Sequence, residues 1–95
     1  MKIHFSSWKT WTSDDIADWI VGLENGRFSK YESVMRQEMK TAKVEGMHLP
    51  MLTQNIKYLQ RFGIIEFDEE IALQKHIQFY FSFHIFAYRN VQTNK

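Results

Sequence analysis

Gly46-Met47-His48-Leu49-Pro50-Met51-Leu52-Thr53, running on through Ile56 and Leu59 to Phe62-Gly63-Ile64, is the stretch on which the reading of this chain turns. A proline pushes the residue before it out of the helical region, so the helical piece that opens at Met47 is expected to end near Leu49. Thr53 is then placed to cap a further helix that carries Ile56 and Leu59, and Gly63 to stop it. Thr41 to Gly46, just upstream, reads as a turn.

Working outward, Ile16, Trp19, Ile20 and Leu23 fall at i, i+3, i+4 and i+7, the spacing of one helical stripe, with Asp14, Asp15 and Asp18 near its positive end. Thr12 and Asp15 stand at capping-box spacing, and Glu24-Asn25-Gly26 supplies the stop, Asn25 or Gly26 suiting a left-handed cap. Phe28, Tyr31, Met35 and Met39 form a second stripe, with Lys30, Arg36 and Lys40 facing water. A last helix begins at the acids Asp68-Glu69-Glu70, which its N-terminus favours. Leu73, Ile77, Tyr80 and His84 share its inner face, so it is expected to reach about Tyr88, although Phe79, Phe81, Phe83 and Ile85 also alternate with the period of a strand.

Taken together in order and spacing, Trp11, Asp15-Ile16-Ala17-Asp18-Trp19-Ile20, Tyr31, Val44 to Thr53, Phe62-Gly63-Ile64 and Phe67 resemble the sterile alpha motif family. The resemblance spans Trp11 to Tyr80. It implies an all-α, compact five-helix bundle, here with an extended C-terminal helix, preceded by an N-terminal arm over residues 1–10 and followed by an aromatic-rich extension over residues 81–95. This chain departs from the family's pattern in having Pro50 for a Leu, Glu45 for a capping Asp, and about four extra residues between Tyr31 and Gly46.

The chain has 95 residues, a formal charge of +1 and no cysteine. That length suits one domain and one core. Near-neutral charge removes the long-range pull of a basic protein on nucleic acid or anionic membrane. The missing cysteines exclude disulfides and thiolate chemistry and fit an intracellular setting, cytoplasmic or nuclear. Met1 to Trp11 lacks a continuous apolar core of the secretory kind, and no apolar run approaches the roughly 20 residues that cross a bilayer.

Little in the sequence points to catalysis. His76 and His84 bracket Tyr80 on one helical face, but no carboxylate or cysteine completes a metal site, and His4 and His48 are isolated. No nucleophile elbow, phosphate loop or acid pair with roles is present, so the expectation is a non-enzyme with no cofactor and no metal. RNA binding by Lys30, Arg36, Lys40 and Lys43 is disfavoured by the acids Glu66 to Glu70 where family members that bind RNA carry a basic patch. The aromatic tail, with Phe79 and Phe86 off the inner face, either packs on Ile3, Phe5 and Trp8 or forms an exposed patch. Its scarcity of Lys and Arg argues against an anchor on anionic membrane, and a membrane-proximal module using the aromatic segment is kept as an alternative reading.

What the resemblance implies is protein–protein interaction, with another domain of the same family, self or different, as partner, a homo-oligomer being one outcome and an adaptor or scaffold the role. In such domains the start of the last helix, the end-helix surface, docks on a neighbour's mid-loop surface. The signs here are inverted. The expected end-helix surface is Ile65, Glu66, Asp68, Glu69 and Glu70, and the expected mid-loop surface is Arg36, Met39, Lys40, Lys43 and Met47.

Overall fold

Helix accounts for nearly all regular structure in the computed structural model, which describes the backbone over residues 5–55 and 57–93 and the side chains of 8–55 and 57–80. A 3-10 segment, Phe5–Thr10, leads into α1 (Ser13–Gly22); short 3-10 turns at Leu23–Asn25 and Ser29–Tyr31 join it to α2 (Glu32–Thr41). A 3-10 helix, Gly46–Thr53, then precedes α3 (Lys57–Arg61) and α4 (Phe67–Thr93). The four α-helices and the Gly46–Thr53 helix form a compact all-α bundle of five helices, with no strand among the described residues.

Each boundary has a local cause. The Thr12 N–H donates to the Asp15 carboxylate at 3.0 Å and the Asp15 N–H donates to Thr12 Oγ1 at 3.2 Å, the reciprocal box that starts α1. α1 stops where Glu24, Asn25 and Gly26 all take positive φ, a wider left-handed turn than one glycine would make. Helices α2 and α3 end alike. Val44 N–H reaches the Met39 carbonyl and Lys43 N–H that of Lys40; Ile64 N–H reaches Leu59 and Gly63 N–H reaches Gln60. This is the Schellman arrangement, with Lys43 at φ 55° and Gly63 at φ 92° in its left-handed position.

The core gathers Trp11, Ile16, Trp19, Ile20, Phe28, Tyr31, Met35, Met39, Leu49, Leu52, Leu59, Phe62, Ile64, Leu73 and Ile77 into one cluster. The two sequence stripes of α1 and α2 face each other, and α4 packs most extensively on the Gly46–Thr53 helix. Trp8, placed in the N-terminal arm by the sequence, belongs to this cluster too. Ile3 and Phe5, its expected companions in packing against the tail, lie outside the described side chains.

Two local expectations need correction. The helical piece does not stop at Leu49 but continues through Pro50 to Thr53. Leu49 and Leu52 are both buried, and their burial outweighs the steric bias the proline places on Leu49. Thr53 does not cap the following helix, because its hydroxyl turns back to donate to the Pro50 carbonyl at 3.0 Å. Asn55 takes the capping role, its Oδ1 accepting from Lys57 N–H at 2.9 Å. Along α4 the helical alternative prevails over the strand, and the helix runs past Tyr88 to Thr93.

Candidate interaction surfaces

The lead-in to α4 sets the first surface. Ile65 and Phe67 flank Glu66 and are 69% and 70% exposed, large apolar groups that the core does not take. Val34 of α2, half exposed, lies against Gly63, its Cγ1 3.0 Å from where a Cβ on that glycine would stand. It extends the apolar ground from α2 toward Ile65. Sequence reasoning missed Val34 because it lies off the α2 stripe, and only the turn at Gly63 brings the two segments together.

Two acids beside this apolar ground, Glu66 and Glu69, already have partners. Lys30 Nζ sits 2.9 Å from Glu66 and 3.4 Å from Glu69, and Tyr31 donates its hydroxyl to Glu66 at 3.0 Å. Arg27 bridges Glu69 and Glu24, and His76 Nε2 lies 2.6 Å from Glu24. The result is a ladder of charge joining residues 24–31 to α4. Lys30, and secondarily Tyr31, hold the Glu66 carboxyl below the usual carboxylate range; His76 first and Arg27 next do so for Glu24. Lys30 is pushed up in turn by its bond to Glu66.

Glu70 is a correction. It is 3% exposed, with Gln60 Nε2 donating to it at 3.2 Å, so it cannot meet a partner. Its position explains this, since residues 70, 73 and 77 follow the i, i+3, i+7 stripe that Leu73 and Ile77 define. Of the expected end-helix acids, Asp68 is exposed and makes no ion pair among the described residues.

The second surface surrounds the start of the Gly46–Thr53 helix. Met47 and Met51 are 66% and 48% exposed there. Lys43, exposed just before them, makes no ion pair among the described residues, and Lys40 only a long one, 4.0 Å, to Asp14. Two residues expected here do not belong. Met39 is wholly buried as the last member of the α2 core stripe. Arg36 is spent inside the fold: Nε on Glu32 at 2.9 Å, Nη1 on Asp14 at 3.1 Å and Nη2 on Asp18, tying α2 to α1. Its pKa is raised further still, first by the bond to Asp18. His48, isolated in the sequence, accepts the N–H of the N-cap residue Glu45 on Nδ1 at 2.9 Å, taking the reciprocal place in the capping box at the start of the Gly46–Thr53 helix.

Of the expected aromatic patch, Phe79 is exposed and meets Tyr80 edge-on at 5.8 Å, while Phe86 lies outside the described side chains. Tyr80 is itself 45% exposed, yet its ring stands edge-on to Trp19 at 5.3 Å, half keeping its expected inner position. An open groove beside α4 is lined by Glu24, Arg27, Asp68, Ile71, Lys75 and His76; Glu24 is paired with Arg27 and His76, whereas Asp68 and Lys75 make no ion pair among the described residues. Among the described residues no cluster of three metal-ligating side chains occurs, and no helix is long and apolar enough to cross a membrane. No family model matches the chain, and neither a curated protein nor a solved structure does.

Proposed function

We propose that the chain is a non-catalytic protein–protein interaction module of the sterile alpha motif kind, joining another such domain head to tail. The observation that carries this reading is that large apolar side chains are left exposed at two separate places besides Tyr58, Phe79 and Tyr80: Ile65, Phe67 and Val34 about the lead-in to α4, and Met47 and Met51 on the Gly46–Thr53 helix. Single exposed apolar residues are ordinary, whereas clusters rimmed by polar groups are the usual ground of recognition. Two of the charges left unpaired are complementary, Asp68 beside the first group and Lys43 beside the second. They orient the encounter, and the apolar groups supply the affinity.

Such a contact joins unlike surfaces and propagates. Phe67→Asp and Met47→Asp, each alone, should abolish concentration-dependent growth of mass in solution. Mixed, they should yield a one-to-one pair and nothing larger, since one variant retains the Phe67 surface and the other the Met47 surface. A mixture that stays monomeric while the wild type assembles would remove this pairing. A wild type monomeric at every concentration would leave a different domain as the partner.

A further inference from the structure

The backbone before α1 crosses Gly46 more closely than any residue with a side chain would permit. A Cβ at Gly46 would lie 1.8 Å from the Trp8 carbonyl oxygen and 3.2 Å from the Lys9 carbonyl carbon. The same Trp8 carbonyl accepts from Trp11 N–H at 3.1 Å, and the Trp8 indole is buried in the core. Position 46 is thus shaped to receive this strap.

What lies on either side of the strap is anchored without it. Trp11 packs on Trp19 with ring centroids 6.2 Å apart, and Thr12 is fixed by its box with Asp15. Gly46 N–H bonds the Trp11 carbonyl at 2.9 Å, while Leu49 and Leu52 seat the following helix in the core. The strap itself is 3-10 helix, whose hydrogen bonds have poorer geometry and which is seldom stable in runs beyond three or four residues. A short 3-10 segment laid against elements that are held without it is the kind of unit that opens before the whole chain unfolds.

We infer that Trp8–Thr10 is a clasp that opens about Trp11 while the bundle stays folded, uncovering the Gly46 backbone and the apolar hollow left by Trp8. Met47 follows Gly46 directly, so the clasp governs how the Met47 surface is presented. That last consequence rests on the association reading, whereas the opening is a property of the single chain and is measured on it.

Hydrogen exchange of the full chain at low denaturant tests it, with the Trp11 amide reporting the clasp and the Leu73 and Ile77 amides reporting the bundle. The Trp11 amide should be protected, yet exchange at least about tenfold faster than the other two and with a shallower denaturant dependence, as a local opening does. Trp8→Ala should strip the Trp11 amide of protection and leave Leu73 and Ile77 protected. Three results would overturn the clasp: exchange at all three sites with one rate and one slope, a wild-type Trp11 amide as fast as in an unfolded peptide, or loss of all protection in Trp8→Ala.

Discussion

Lys43 and Gly63 occupy the same left-handed position in two helix endings, and they differ in what they cost. Gly63 takes φ 92° without a Cβ to clash, whereas Lys43 holds φ 55° with one. A non-glycine residue in this region is strained by about 1 kcal/mol or more. Lys43→Gly should therefore raise unfolding stability by about 1 kcal/mol, read from the denaturant midpoint at constant slope, and, on the proposed association, should weaken binding by removing an unpaired cation beside Met47. Gly63→Val should do the reverse, clearly lowering stability, because a β-branched side chain would meet both the positive φ and the methyl of Val34. Equal stability of Gly63→Val and wild type would contradict the geometry of that turn.

At the scale of elements, the joint between residues 24–31 and α4 is electrostatic on its outside and apolar within. Glu66 and Glu24 have folded-state pKa values below the ordinary 4.5 of a glutamate, caused chiefly by Lys30 and by His76 respectively. A depressed folded value means the unfolded chain binds protons first. The stability contributed is present above pH 4.5 and is lost as pH falls through the lower folded values. Glu66→Gln should therefore flatten the acid limb of a stability-versus-pH curve below that point while leaving the plateau near neutrality only slightly lowered, since exposed ion pairs are worth little. An acid limb of unchanged slope in Glu66→Gln would show that the Lys30 bond does not persist in solution. Much of this joint was legible beforehand: Tyr31, Leu73 and Ile77 announce themselves by spacing, and the acids by their place at a helix start. The pairing of Lys30 with Glu66 was not, because it joins residues 36 apart in sequence across two elements.

For the whole molecule, the internal ladder changes what self-association should look like. Glu66 and Glu69 are paired with Lys30 and Arg27, and Arg36 with three carboxylates, so most of the charges expected to drive assembly are already engaged within the fold. Sedimentation or light scattering across salt should therefore show an affinity that changes less than about tenfold between low and physiological ionic strength, where screening acts over about 8–10 Å. A steep fall with salt would point to charge rather than to Ile65, Phe67, Met47 and Met51 as the source of binding. On the proposed association, the groups that would carry the contact are those the core leaves over.

The sequence by itself determined the helical class, the capping box at Thr12, the stop at Gly63 and the core stripes of α1 and α2, because these follow from spacing within one segment. Only the tertiary structure decided which polar residues remain for a partner. Arg36 and Glu69 read in the sequence as solvent-facing charges, whereas Glu70 stands on the stripe of Leu73 and Ile77. What separates them from Lys43 and Asp68 is whether a neighbouring element brings an opposite charge or an amide within bonding distance. The same holds for Trp8, whose burial follows from a backbone crossing at Gly46, where a missing side chain leaves the strap room to lie against the Gly46–Thr53 helix.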